Sequence, residues 1–266
     1  MTRLPILLIN LDRAPERLAR IKERLDARGL AFERVAGVDA RALSRAEIER
    51  HVEGIGHWGW MTEGEVACFL SHRKCWRLIV EREMPHAVVL EDDVVPGRFA
   101  GEILERDDWI PAEADLVKLE TDLKPVRLSA RASGRGETFE VARLHSSHYC
   151  AAAYLVTRHT AQRLLKATER FRDAVDEMLF VERSALCRSL GIFQMLPAPF
   201  VQEHKHADPV SRFDPSGFIE GRECKDLPRR ARHVEALADL AQMRRDLLHK
   251  LAELTGRRRT VVVNFQ

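Results

Sequence analysis

Apolar residues come first as a run, PILLINL from Pro5 to Leu11, and then at helical spacing, with Leu18, Ile21 and Leu25 on one face of the segment Asp12 to Leu30. The run predicts a strand and the spacing a helix, which Asp12 can cap and Gly29 can end. FERVAGVDA, from Phe32 to Ala40, predicts a second strand. Strand, helix, strand is the βαβ unit of a parallel sheet, whose ligands lie beyond the carboxyl ends of the strands. Asn10 to Arg17 therefore fall at a ligand edge.

Two capping boxes follow, Ser44-x-x-Glu47 and Thr62-x-x-Glu65. The second opens EGEVACFLSHRKCWRLIVERE, where Phe69, His72, Trp76 and Ile79 share a helical face. HAVVL and ADLVKLE read as strands, and the polar stretch Thr121 to Glu137, with Ser133, Gly134 and Gly136, as a mobile loop or hairpin. FEVARL and YCAAAYLVT are strand-like, RHTAQRLLKATERF and DEMLFVERSALCRSLG helical, the latter ended by Gly191, and GIFQMLPAPFVQ extended. From about Leu227, the positions Val234, Leu237, Leu240, Leu247 and Leu251 predict a last amphipathic helix, followed by Arg257, Arg258 and Arg259.

Composition adds limits. With 266 residues and 45% hydrophobic content, the chain can bury the core of one large domain or two small ones. A net charge of +2, from 43 basic and 41 acidic residues, argues against binding nucleic acid through bulk charge. Five cysteines with no CxxC pair suit a chain kept reduced in a cytoplasm. The apolar opening Leu4 to Leu11 is too short for a membrane span and lacks a small-residue cleavage site.

The sharpest chemical signal is HAVVLEDDVVPG, where an apolar strand breaks on Glu91, Asp92 and Asp93. A buried carboxylate must be protonated, paired or given a cation. Alternation along the strand puts Glu91 and Asp93 on one face and Asp92 on the other, and such oxygen clusters suit Mg²⁺ or Mn²⁺. A solvated acidic turn is the bland alternative.

INLDRAPERLARI, GEVACFLSHRKCW, AVVLEDDV, DLVKL and AYLVTRHTAQRLL occur together in this order. On these stretches, over roughly residues 4 to 215, the chain resembles glycosyltransferase family 25, which includes lipooligosaccharide and collagen galactosyltransferases. The resemblance implies an α/β fold of GT-A type, with a Rossmann-like, mostly parallel central sheet flanked by helices. The resemblance bounds a GT-A-like domain, residues 1–215, and leaves outside it the basic amphipathic helical appendage, residues 216–266. It also implies a UDP-sugar donor, most of all UDP-galactose, a saccharide or glycolipid acceptor, inversion at the anomeric carbon and a Mn²⁺ or Mg²⁺ cofactor.

Residue by residue, the resemblance makes Asp93 the direct metal ligand, has Glu91 assist through water or the ribose, and leaves Asp92 to hold neighbouring donors. Asn10, Leu11 and Arg13 would grip uridine and ribose, Arg17 would pair with phosphate, Ser71 and His72 would line the donor pocket, and Lys118 would face the site from a strand end. Asp176 in RDAVDEML is the candidate base for the acceptor hydroxyl, with Glu177 as alternate. His204 or His206 would complete the metal site.

Each role has a structural counterpart: Arg13 and Arg17 as a solvated helix face, His72 as a core histidine, Lys118 as a solvated lysine, Asp176 as a helix N-cap. His145 and His148 form HxxH, but no HExxH is present, and flexible surface positions account for at least two of the four histidines His145, His148, His204 and His206. Two other functions use the same carboxylates: a metal-dependent phosphohydrolase of nucleotide-sugars or diphosphates, and a catalytically silent sugar-nucleotide binding module. The expected location is cytoplasmic, with the basic tail a candidate for peripheral contact at the inner membrane face and, more simply, for packing on the domain or a second subunit.

Overall fold

A computed structural model describes residues 3–206, 244 and 247–266. In chain order the strands are β1 (Ile6–Asn10), β2 (Glu33–Ala36), β3 (His86–Glu91), β4 (Val94–Pro96), β5 (Leu116–Lys118), β6 (Glu120–Thr121), β7 (Pro125–Ser129), β8 (Gly134–Arg135), β9 (Glu140–Arg143), β10 (Ala153–Thr157), β11 (Ile192–Leu196), β12 (Phe200–Gln202) and β13 (Arg258–Val262). The helices are α1 (Pro15–Asp26), α2 (Arg45–His51), α3 (Glu63–Glu81), α4 (Ala100–Leu104), α5 (Arg158–Ala167), α6 (Val175–Phe180) and α7 (Ala185–Arg188).

The fold is α/β, a central sheet flanked by helices. That sheet has eight strands in the order β2-β1-β3-β10-β5-β11-β9-β8. β2, β1 and β3 run parallel, as the βαβ reading requires. The sheet as a whole is mixed rather than mostly parallel, because β10 lies antiparallel to both β3 and β5 and β9 antiparallel to β11.

Alternation along the inner strands explains their unbroken apolar runs. Ile6 and Leu8 of β1, with Val88 and Leu90 of β3, pack with Ile21 and Leu25 of α1. Leu7, Ala87 and Val89 point the other way, onto Phe69, Trp76 and Ile79 of α3. Both faces of the sheet are thus covered.

Both predicted capping boxes are present, Ser44 with Glu47 and Thr62 with Glu65. Asp12, in contrast, does not cap α1. That helix starts with proline in its first turn, its N-cap position is Ala14, and Asp12 pairs with Arg34 instead. Gly29 ends the segment as expected, in the left-handed conformation at φ +67°. The helix predicted across DEMLFVERSALCRSLG is broken at Val181, whose extended backbone separates α6 from α7, and Ser184 caps the second piece.

The stretch Thr121 to Glu137 holds strand β7 as well as β8, which forms the predicted hairpin with β9. β7 pairs antiparallel with β13, so the end of the basic tail is a strand laid on the domain. Val263 is buried there with Val126 and Leu128, and residues 247–254 before it are helical. The boundary at 215–216 and the positions Val234, Leu237 and Leu240 lie outside the described residues.

Candidate active site

The apolar run of β3 ends on Glu91, neighbour to the β1–β3 pairing of Ile9, and Asp92 and Asp93 form the turn into β4. Each acid meets a different set of partners. Glu91 Oε1 lies 3.1 Å from His72 Nε2 and 3.7 Å from Cys68 Sγ. The other ring nitrogen of His72 is 2.9 Å from the Tyr154 hydroxyl, which also accepts from the Trp76 indole at 2.9 Å. With that acceptance made, Tyr154 can give its proton to His72 Nδ1, and Nε2–H then donates to Glu91. Burial works to raise the Glu91 carboxyl, but His72, Arg17 and Cys68 outweigh it and hold it below its usual range.

Asp92 points back to β1 and α1. It accepts from Asn10 Nδ2 at 2.7 Å and pairs with Arg17. Asn10 is itself fixed by Arg34, whose Nε donates to its side-chain oxygen at 3.0 Å. Burial still leaves Asp92 above its ordinary pKa despite Arg17 and Asn10.

Asp93 is the least compensated of the three. Oδ2 accepts from Gln202 at 3.1 Å, and its backbone oxygen from Glu203 N at 2.8 Å, but Oδ1 is buried with no hydrogen-bond partner. Burial, with Glu91 next and Asp92 and Glu120 adding, pushes its carboxyl up to about 8.

Glu120 extends this acidic group from β6. Its Oε1 accepts from Ala152 N at 2.6 Å and from Lys118 Nζ at 3.1 Å, while Oε2 is buried without a partner. Lys118 is fully buried rather than solvated: it also donates to the Cys150 carbonyl and lies 4.3 Å over the Phe180 ring. Its charge goes to Glu120 because no water reaches it there. Cys150, at φ 72°, joins the opposite wall through its N–H, which donates to Asp176 Oδ2 at 3.2 Å.

Asp176 sits in the first turn of α6, whose N-cap position is Ala174, so it is not the N-cap. Its Oδ1 accepts from Glu177 N at 2.9 Å. Glu177 is buried and committed, accepting from Trp58 Nε1 at 2.9 Å and pairing with Arg183. Ser71 is buried between Ala67 O and Val38 N, at 2.8 Å from each. Arg13 is half exposed and paired with Asp39 at 3.0 Å, and Leu11 packs near Gly37. His204 is exposed on the turn after β12. The surface reading fails for His148, which is buried between Asp122 and Gln194, while His206 is partly buried with its ring against Phe265.

A hard divalent cation fits this arrangement at Asp93. The observation is its orphaned, buried Oδ1 within a group of acids whose cations are already engaged, Arg17 by Asp92 and Lys118 by Glu120. Cys68, His72 and Glu91 also cluster, with ligand atoms within 4.8 Å of one another. Burial, with the charges of Glu91 and Asp176 adding, keeps the Cys68 thiol far above its usual pKa, so it is a neutral thiol in the metal-free protein.

Residues 3–179 match the model of glycosyltransferase family 25, described as an LPS biosynthesis protein family. The chain belongs to this family. It is a glycosyltransferase. The lacto-N-neotetraose biosynthesis glycosyltransferase LgtE of Neisseria meningitidis serogroup B is 28% identical over 253 residues, covering 90% of this chain and 88% of its own. Procollagen galactosyltransferase 1 of Danio rerio is 29% identical, over 61% of this chain and 28% of its own. Among solved structures, the glycosyltransferase GlyE of Streptococcus pneumoniae TIGR4 aligns at 11% identity and a TM-score of 0.37, over 80% of this chain and 57% of that one.

Sequence reasoning missed Glu120, Gln202 and Trp58 in this glycosyltransferase. Glu120 stands at the end of the quoted run ADLVKLE, two residues after Lys118, and an acid closing a buried strand was the available signal. Gln202 and Trp58 carried none, because only the fold brings them to Asp93 and Glu177.

Proposed function

We propose that this enzyme transfers a hexose, galactose most of all, with inversion from a UDP-sugar to a saccharide acceptor such as a lipooligosaccharide or other cell-surface glycan, using Mn²⁺ or Mg²⁺. The observation that carries the reading is the buried, unpartnered Oδ1 of Asp93 at the carboxyl end of β3, in the company of Glu91 and Glu120. The names of the LgtE and procollagen galactosyltransferase relatives support the substrate class.

Asp93 would hold the cation, with Glu91 beside it and His204 a further candidate from the turn after β12. The chemistry such an ion supplies is neutralisation of charge on the departing diphosphate. Asn10, Leu11 and Arg13 offer the edge of β1 to uridine and ribose, and Asn10 with Asp92 fixes Arg17 toward phosphate. Ser71 and Lys118 act behind this surface, as packing and as the counter-charge of Glu120. Asp176 is the base: one oxygen is anchored by Cys150 N–H, which orients the carboxylate to receive the proton of the acceptor hydroxyl. Glu177, engaged by Trp58 and Arg183, serves to position α6.

Among the described residues no helix is long and apolar enough to cross a membrane. The helical residues 247–254 expose Leu247, Leu248, Leu251 and Leu254 beside Lys250, which supports peripheral contact with an anionic membrane face from the cytoplasm. A screen of UDP- and GDP-sugars with Mn²⁺, with and without glycan acceptors, tests the function. Sugar appearing on the acceptor supports it. Free sugar released at an equal or greater rate would make the enzyme a hydrolase, and UDP binding without turnover a binding module.

A further inference from the structure

Loop 52–62, between α2 and α3, exposes three large apolar side chains, Ile55 (41%), Trp58 (52%) and Trp60 (66%). Exposed aromatics gathered in one place mark a binding surface more often than chance. This loop is held in shape. Gly56 and Gly59 bridge each other, with Gly56 N donating to Gly59 O at 2.9 Å. Gly56 lies flat on the chain before α6, where a Cβ would come within 2.0 Å of Arg172 O. His57 N donates to Asp173 Oδ1 at 2.6 Å.

Trp58 is the best defined member. Its indole N–H donates to Glu177, the Arg183 guanidinium lies 5.3 Å from its ring centroid, and His57 meets its edge at 5.0 Å. The ring is therefore oriented by a buried carboxylate while about half of it faces water. Fixing an indole this way and leaving its face open gains little for the fold alone. It suits a ligand with one flat apolar face and a polar rim.

We infer that Trp58 and Trp60 form the platform on which the sugar ring of the acceptor stacks, with Glu177 and Arg183 as the residues that position Trp58. A pyranose presents axial C–H groups on one face and hydroxyls around its edge, which matches an indole face flanked by a guanidinium. Location supports the same occupant. Trp58 is bonded to Glu177, and Glu177 directly follows the proposed base Asp176 in the first turn of α6, so the platform borders the residue that would take the proton of the acceptor hydroxyl. The inference rests on the glycosyltransferase reading of Asp176.

Saturation-transfer NMR with the methyl β-glycosides of glucose, galactose and N-acetylglucosamine tests it on the whole chain. Transfer to ring protons of at least one glycoside is expected in the wild type, loss in Trp58→Ala/Trp60→Ala, and weaker transfer in Trp58→Phe, which keeps a ring but loses the Glu177 bond that orients it. In transfer assays the double variant, which removes both indoles, should raise the acceptor KM by about tenfold or more. Calorimetric UDP affinity and a cooperative melt show that the variant is folded. Equal saturation transfer in wild type and double variant would overturn the platform, as would no transfer to any of the three glycosides in the folded wild type. A wild type that consumes no UDP-sugar would sink the donor assignment alone, since the NMR arm still decides the platform.

Discussion

Asn10 and Asp92, 82 positions apart, meet side chain to side chain at 2.7 Å and tie the end of β1 to the turn after β3. Arg17 closes the same carboxylate from α1, so one buried acid links the first strand, the first helix and the acidic turn. Asp92 thus differs in kind from Asp93, although the two are adjacent and chemically identical.

Replacing Asp92 by alanine should therefore unfold the site. It leaves the Arg17 guanidinium without its carboxylate and the Asn10 amide with only the Ala14 carbonyl as acceptor, a loss of about 3 kcal/mol by comparison with other broken buried pairs. Urea unfolding measures it; a midpoint within error of wild type would show that the linkage carries no stability.

For Asp93 the expectation is opposite and depends on pH. Its folded carboxyl, pushed up to about 8 by burial beside Glu91, lies above the ordinary value of 3.8 that the unfolded chain has. The folded protein then binds more protons between those values, so its stabilising contribution is complete below 3.8 and is lost as pH rises through about 8. Metal-free Asp93→Asn should melt higher than wild type at pH 9 and equally at low pH. Added Mn²⁺ should raise the wild-type melt most at alkaline pH and leave the variant unmoved. Parallel melting curves for the two proteins across the range would refute the shifted carboxyl.

Asp176→Asn should keep UDP binding and lose transfer by about a hundredfold or more, the contribution of a general base. Glu177→Gln should retain turnover within a few fold, because its carboxylate is spent on Trp58 and Arg183. Initial rates with donor and acceptor both saturating decide between them, since a disturbed Trp58 then shows in the acceptor KM alone. If Glu177→Gln is the inactive variant, the base is misassigned.

How much of this was legible in the sequence follows from how local each signal is. The β1–α1–β2 unit, both capping boxes and the strand ending on Glu91 depend on neighbours along the chain, and all appear. β7 was missed because its partner β13 begins at Arg258, in a tail whose helical pattern masked a short strand. The start of α1 was misplaced because Arg34, brought in by β2, takes Asp12 from the capping role. At the site, the acids were readable as charges within an apolar run. Their division of labour depends on Gln202, Tyr154 and Asn10, none of which is near them in sequence.

Lys118 and Glu120 offer a last test, since they form an ion pair with both side chains fully buried at 3.1 Å. Two strand residues separated by one point to the same side, yet β5 ends between them, and the pair spans the passage from the central sheet to β6. Lys118→Met leaves Glu120 charged and buried against only backbone donors, and should cost about 4 kcal/mol. Glu120→Gln keeps an acceptor for Ala152 N but strands the ammonium over the Phe180 ring, a smaller loss because the Cys150 carbonyl remains. The double variant should be more stable than Lys118→Met alone, because the uncompensated charge is gone, so the two losses fall well short of additive. Urea titration of the four proteins gives the coupling directly. Additive losses would mean that the pair is held by its surroundings rather than by its partners' charges.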